Sequence, residues 1–161
     1  MRCQRIRFIV TAVALTTASL ASSADVTSAT EAVERGRHLV LIGHCNNCHT
    51  AGYVPANGNV PENRWLMGNP VGWRAKSGTI YASNLRLYVQ NVSEQAWIQA
   101  MKTVEWRAPM PWWSVRELTT DELSAMYQYI RSLTPAGAPA PAFLPADREP
   151  PRPYNQLPDM T

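Results

Sequence analysis

The run Cys45-Asn46-Asn47-Cys48-His49 restricts this chain more than any other feature of its sequence. Residues three and four positions apart lie on one face of a helix, so both thiols and the imidazole can face one flat ligand. Two cysteines at this spacing with a histidine directly after them form the attachment signature of c-type haem. We therefore predict a thioether from Cys45 and Cys48 to the haem vinyl groups and His49 as the proximal iron ligand, while the two asparagines carry no chemistry.

Two other uses of a CxxC pair are open alternatives. A redox-active dithiol is typical of a βαβ setting with a strand before the motif, whereas the residues before Cys45 have a helical pattern. A zinc site needs four ligands. Only His38 and His44 could join the motif for that purpose, and they are crowded into the same short stretch. The haem interpretation therefore leads.

The N-terminus has the pattern of a secretory signal peptide. Three arginines fall within the first seven residues, a mostly apolar run covers 8–20, and small residues follow at 22–24. We predict a signal peptide over residues 1–24, cut after Ala24, and export to a bacterial periplasm. An uncleaved anchor is the alternative, although the apolar run is shorter than the about 20 residues of a membrane span.

The mature chain is formally neutral. From Asp25 onward there are 12 Lys plus Arg and 12 Asp plus Glu, so there is no basic excess for binding nucleic acid. Cys3 leaves with the signal peptide and the haem uses the other two thiols, so no disulfide is expected. Neutrality also predicts contact with partners through an apolar patch rather than long-range charge steering.

Three amphipathic segments predict helices. The first, which runs toward Cys45, and the last, which runs to Leu133, each open on a capping box: Ser28 with Glu31, and Thr119 with Glu122. A short helix begins at Ser93. Residues 50–91 lack sustained periodicity and are predicted to be loops. The sequence thus predicts an all-α domain over residues 25–134, with about three main helices around the haem and no strands.

A proline-rich tail follows this domain over residues 135–161. Eight of the thirteen prolines lie between Pro135 and Pro158, which favours extended polyproline geometry. Phe143 and Tyr154 are unusual for a pure linker, so the tail either packs along the domain or docks a partner.

Met110 is the predicted sixth iron ligand. Prolines on both sides restrict the backbone of its loop and leave little freedom to lose on binding. Met67 is the reserve candidate, whereas Met101 and Met126 lie on apolar stripes and are assigned to the core. Six tryptophans can wall off an apolar cofactor; for the pair at 112–113, core packing is favoured over a contact surface.

The leading helix, the CNNCH motif, the MPW run at 110–112 and the closing segment 118–133 resemble the mono-haem class I c-type cytochromes. The runs GTIYASNL at 78–85 and LTTDEL at 118–123 are similar to the haem domains that accompany bacterial periplasmic dehydrogenases. The resemblance implies a cytochrome c fold with His49 and Met110 as axial ligands. It also implies terminal helices that cross near Gly36, beside Tyr127 or Tyr129; from the residues alone, Gly36 is equally well a tolerated interior glycine.

One departure from these relatives concerns residues 86–89, where RLYV replaces a Thr-Pro-Asp turn. The resemblance implies contacts with the haem propionates near this region, for which Asn84 and Trp73 are the candidates. The tail lies outside the shared domain and inherits no role.

The predicted function is that of an exported electron carrier with one haem c, and not of an enzyme. It would take electrons from a periplasmic dehydrogenase or a quinol-oxidising complex and pass them to an oxidase or another cytochrome. One alternative is a haem subunit of a stable dehydrogenase complex. The other is a sensor or peroxidase-like enzyme with an open sixth site.

Overall fold

The computed structural model describes residues 21–158, which form six α-helices, one 3₁₀ turn and a four-stranded sheet. The helices are α1 Ala21–Ile42, α2 Cys45–His49, α3 Leu85–Tyr88, α4 Glu94–Thr103, α5 Trp112–Glu117 and α6 Thr120–Ser132. The strands are β1 Gly72–Ala75, β2 Gly78–Ile80, β3 Leu144–Pro145 and β4 Tyr154–Gln156, and the 3₁₀ turn is Glu62–Arg64. Among these helices, none combines the length and the hydrophobicity that a transmembrane span requires.

The core lies where α1 crosses α6 and α4 packs against α6. A Cβ atom on Gly36 would lie only 2.0 Å from the carbonyl oxygen of Ala125 and 2.8 Å from the Cβ of Tyr129. Only glycine permits so close an approach of the two backbones. The predicted crossing at Gly36 is therefore confirmed, with Tyr129 as the aromatic beside it. The buried apolar side chains around the crossing are Leu39, Val40, Trp97, Met101, Leu123, Met126 and Ile130.

Two of the three predicted helix starts are confirmed. Thr119 caps α6 in a reciprocal capping box with Glu122, and the Ser93 side chain accepts the Ala96 amide at the start of α4. The start at Ser28 is wrong, because α1 already begins at Ala21. No glycine or proline interrupts residues 21–35, so the helix runs through the Ser-x-x-Glu pattern. Most of the predicted signal peptide, residues 1–20, lies outside the described residues.

The domain is mainly helical as predicted, but the prediction of no strands is wrong. The sheet has the order β3-β2-β1-β4; β1 and β2 form an antiparallel hairpin, β3 joins β2 antiparallel, and β4 joins β1 parallel. Each strand has only two to four residues, which is too short for the alternating pattern of a strand to appear in sequence. The two outer strands come from the proline-rich tail.

The tail packs along the domain, which was one of its two predicted arrangements. The Arg74 guanidinium on β1 donates to the carbonyl oxygens of Arg148 at 2.7 Å and Ala146 at 3.2 Å. It also forms an ion pair with Glu149 at 3.3 Å. The proline-rich segment thus provides backbone acceptors that fix it to the sheet.

Residues 86–89 contribute most of α3 and include a buried charge. Arg86 is 4% exposed, and its guanidinium donates to the carbonyls of Thr134 at 2.6 Å and Asn63 at 2.9 Å. Burial lowers the pKa of this guanidinium. Arg86 therefore ties the end of α6 to the segment before β1, a role that the sequence did not reveal.

Candidate haem site

The two cysteines and the histidine lie on the single short helix α2, as the spacing predicts. His44, in the left-handed conformation at φ 56°, separates α1 from α2 and starts the new helix direction. Cys45 and Cys48 form no disulfide. Burial raises the pKa of the Cys45 thiol to about 11 and also raises that of Cys48. A redox-active dithiol requires a lowered thiol pKa and a strand before the motif, and this site has neither.

The orientation of His49 is fixed by one hydrogen bond. Its ring is 8% exposed, and Nδ1 lies 2.8 Å from the carbonyl oxygen of Ser83. A carbonyl can only accept, so Nδ1 carries the proton and the lone pair is on Nε2. Burial lowers the pKa of the imidazole, which favours the neutral form. The Ser83 carbonyl thus orients the imidazole and leaves Nε2 with a lone pair that can bind a metal ion.

Asn46 belongs to a buried network behind α2, although no chemical role is predicted for it from the sequence. Its side-chain oxygen accepts from the Thr50 hydroxyl at 2.6 Å, and that hydroxyl accepts from the Leu66 amide at 2.8 Å. The Gly68 amide also donates to the His49 carbonyl at 2.8 Å. These bonds fasten residues 66–68 to the motif helix. The i, i+4 spacing of Asn46 and Thr50 is the only sequence signal that could have indicated the network.

The loop of Met110 is braced on both sides. The Met110 amide donates to the Arg107 carbonyl at 3.2 Å, and the Trp112 amide donates to the Met110 carbonyl at 2.9 Å. After the loop, α5 is fixed by Lys102 of α4, whose ammonium donates to the carbonyls of Arg116, at 2.9 Å, and Leu118. A half-buried methionine is therefore held in a short, tightly bonded turn.

The other methionines have different surroundings. Met101 and Met126 are buried in the core, as predicted. Met67, the reserve ligand, lies beside the tail, since a Cβ on Gly137 would be 3.4 Å from its sulfur and 3.2 Å from its Cβ. The structure thus gives Met67 a packing role against the tail.

Trp106 presents a buried donor without an acceptor. The core indoles of Trp65 and Trp97 donate to the carbonyls of Val60 at 2.7 Å and Leu123 at 3.1 Å. By contrast, the Trp106 Nε1 is buried without a hydrogen-bond partner among residues 21–158. Buried donors almost always have acceptors, and haem carries two propionate carboxylates that can act as such. Three observations fit a bound haem: the unpartnered Trp106 indole, the oriented His49 imidazole and the two thiols that form no disulfide.

The two residues predicted to contact a propionate are placed differently. The Asn84 amide donates to the carbonyls of Ala136 at 2.8 Å and Ala138 at 3.2 Å, while its oxygen caps α3 by accepting the Leu87 amide. Its amide nitrogen is thus bonded to the tail, and the propionate contact of Asn84 stays a prediction. Trp73 lies in β1, half-buried, and its contact stays a prediction.

Trp113 is 51% exposed, so core packing is the wrong interpretation for this member of the pair at 112–113. Trp112 is half-buried, with the Arg116 guanidinium 4.5 Å from its ring centroid.

The zinc alternative has no ligand set. In the part of the chain that the structure describes, no three His, Cys, Asp or Glu side chains converge so that they could hold a metal ion together.

Comparison with known families agrees with this geometry. Residues 33–134 match the Cytochrome c family, whereas searches of curated proteins and of solved structures found no match. The matched segment is well over half of the chain and includes both α2 and the Met110 loop. Covalently bound haem c is the cofactor that this family implies, and Cys45, Cys48 and His49 are the residues that would hold it. The chain therefore belongs to the cytochrome c family and is an electron-transfer haem protein.

Proposed function

We propose that this protein is an exported carrier with one haem c, which moves single electrons in a bacterial periplasm. The donor is a periplasmic dehydrogenase or a quinol-oxidising complex, and the acceptor is an oxidase or another cytochrome. The observation that carries the proposal is the hydrogen bond from His49 Nδ1 to the Ser83 carbonyl. It fixes the tautomer and the ring direction, so that the iron ligand need not reorganise when the electron arrives.

Bound haem c supplies a reversible one-electron couple at its iron. His49 and Met110 are the two residues that would hold the iron. A neutral thioether favours the ferrous state and raises the reduction potential relative to a second histidine. The bonds that brace the Met110 loop would hold the thioether in place in both redox states, as an electron carrier requires and a site that opens to bind a gas does not.

Trp106 is the proposed partner of a haem propionate. Its buried Nε1 has no acceptor among the described residues, and a carboxylate would accept from it in a charge-assisted hydrogen bond. Such a bond also disperses the propionate charge near the iron.

Trp113 is the proposed centre of the contact surface for redox partners. It is 51% exposed and lies three residues after Met110. Since the chain from Asp25 onward is formally neutral, attraction between opposite net charges contributes little. We expect partner affinity to change little with ionic strength.

Export rests on the signal-peptide pattern of residues 1–24. The intact mass of the protein from the periplasmic fraction tests both export and haem number. The proposal requires a chain that begins at Asp25 and carries one haem. A mass that retains residue 1, or that includes a second haem, contradicts it.

Axial ligation is tested by visible spectra of the oxidised and reduced protein with and without carbon monoxide. We expect a weak band near the red edge of the oxidised spectrum and no carbon monoxide shift in the wild type. Met110→Ala should abolish the band and allow carbon monoxide to bind. Met67→Ala is the matched control and should do neither. A wild-type ferrous spectrum that shifts readily with carbon monoxide would instead favour a sensor or an enzyme with an open sixth site.

The second candidate, a haem subunit of a stable dehydrogenase complex, is tested by native size-exclusion of a periplasmic extract. A free carrier elutes near the size of one chain, whereas a subunit elutes with its complex. The packing of the tail along its own domain favours the free carrier, because this segment is then not an extended arm.

A further inference from the structure

The tail contacts the Met110 loop through Phe143. The guanidinium of Arg107 lies over the ring of Phe143, with its central carbon 4.5 Å from the ring centroid. Phe143 belongs to the proline-rich tail, and Arg107 belongs to the turn that contains Met110. This cation–π pair is thus a contact between the tail and the loop of the proposed sixth ligand.

The position of Phe143 is fixed from its other side. A Cβ on Gly78, at the start of β2, would lie 2.6 Å from Phe143 Cζ and 2.3 Å from the Leu144 carbonyl oxygen. Leu144 of β3 is paired with Thr79 of β2. The ring therefore lies against the start of β2, next to the residue pair that joins β3 to β2.

The rest of the tail is anchored before and after this point. Asn84 donates to two tail carbonyls before Phe143, those of Ala136 and Ala138, and Arg74 donates to two after it. The backbone on both sides of Phe143 is accordingly fixed to the domain, while its ring is 39% exposed.

Arg107 connects Phe143 to Met110. Its side chain contacts Phe143, while its carbonyl accepts the Met110 amide at 3.2 Å. Two contacts thus connect the tail to Met110. The first joins the Phe143 ring to the Arg107 guanidinium, and the second joins the Arg107 carbonyl to the Met110 amide.

We propose that Phe143 is a positioning residue for Met110, so that the tail stabilises the iron–thioether bond by restraining the Arg107–Met110 turn. The inference rests on the proposed axial role of Met110. It assigns the proline-rich tail a function inside its own domain, namely to keep the sixth ligand bound.

The test is the affinity of the ferric full-length protein for imidazole, a neutral ligand that competes with Met110 for the iron. Phe143→Leu keeps an apolar side chain against Gly78 but removes the aromatic face, and Arg107→Leu removes the cation. Loss of an exposed cation–π pair should raise imidazole affinity by about two- to fivefold in either variant. The double variant should show no more than the larger single effect, because both changes remove one contact.

Arg152→Leu is the matched control, since it removes a second arginine–aromatic pair that lies within the tail, Arg152 over Tyr154 at 5.4 Å. Imidazole affinity should stay at the wild-type value in this variant. Unchanged affinity in Phe143→Leu and Arg107→Leu overturns the proposal, as do effects of the two changes that add in the double variant.

The two proposals can fail separately. If Met110→Ala leaves the wild-type spectrum unchanged, Met110 is not the ligand and both are overturned. If the Met110-dependent band is present but the tail variants bind imidazole like the wild type, only the role of the tail is overturned.

Discussion

At the crossing of α1 and α6 the contacts are between apolar side chains and closely approaching backbones, whereas at the sheet they are mainly hydrogen bonds to backbone carbonyls. Gly36 and Ala125 exemplify the first kind of contact, and Arg74 with the tail exemplifies the second. Close packing has no tolerance for added atoms. Hydrogen bonds from long side chains can be lost singly and partly replaced by water. We therefore expect substitutions at the crossing to destabilise the whole domain, and substitutions at the sheet to affect the tail and the turn that it contacts without unfolding the helical core.

Gly36→Ala should have the largest effect. Its methyl group would lie 2.0 Å from a backbone oxygen, so the helices must separate, at a cost of about 3 kcal/mol or more in the free energy of unfolding. Gly52→Ala is the control, because its Cβ would meet nothing within 4 Å and only the positive φ of 76° is unfavourable, at about 1 kcal/mol. Denaturant titrations followed by circular dichroism measure both. Equal losses would mean that the crossing is not close-packed.

Tyr129→Phe should have the next largest effect. The buried Tyr129 hydroxyl donates to the Glu62 carboxylate at 2.7 Å, and loss of this bond should cost about 1.5 kcal/mol. Burial and the bond to Glu62 raise the pKa of Tyr129 above its ordinary 10.0. Its contribution to stability is therefore complete below pH 10 and falls as pH rises further, since only the unfolded state ionises there.

Thermal unfolding between pH 8 and about pH 11 checks the sign of this effect. The wild type should lose stability above pH 10 more steeply than Tyr129→Phe. Tyr127→Phe, which removes a bond to the Val92 carbonyl instead, should keep the steep decline. A wild type whose stability rises over this range would contradict the assignment.

Arg74→Gln should release the tail without unfolding the domain. Losing the bonds to the Ala146 and Arg148 carbonyls and to Glu149 should cost about 1 kcal/mol. Chymotrypsin should then cleave near Phe143 about fivefold faster, while the denaturation midpoint of the helical core changes little. Arg148→Gln is the control, because only the backbone carbonyl of Arg148 bonds to Arg74, and it should be cleaved at the wild-type rate. A loss of core stability in Arg74→Gln as large as that in Gly36→Ala would remove the distinction between the two regions.

Trp106→Phe should have the smallest effect and tests the proposed partner of a haem propionate. Without the indole N–H, the propionate keeps more of its negative charge, which favours ferric iron. The reduction potential should fall by tens of mV, where about 59 mV corresponds to 1.4 kcal/mol for one electron. Trp113→Phe, at an exposed position, should leave the potential unchanged. A potential that is unaltered in Trp106→Phe would mean that the buried N–H has another acceptor.

The difference between side-chain packing and hydrogen bonds to backbone carbonyls also explains which features the sequence predicts. The motif on α2, the capping box at Thr119 and the core methionines are local patterns of side chains, and these predictions are confirmed. The placement of Met110 in a restrained turn also follows from its flanking prolines. At Ser28 a pattern of this kind is misleading, because a capping box inside an uninterrupted helical stretch does not start a helix.

The partners that the sequence did not reveal are mostly backbone carbonyls. His49 is oriented by the carbonyl of Ser83, Arg86 by that of Thr134, and the Asn84 amide by those of the tail. Any residue type supplies a carbonyl, so no side-chain pattern marks these acceptors. The sequence also does not indicate the strands, since two of the strand pairings join residues more than 60 positions apart.

The most direct test of the account is a redox titration of the wild-type haem protein with and without carbon monoxide. A ligand that binds only ferrous iron raises the reduction potential by its binding free energy. If His49 and Met110 occupy both axial positions in both states, a single one-electron transition should be seen at the same potential with and without the gas. A potential that rises with carbon monoxide concentration would show an open sixth site and contradict the assignment of an electron carrier.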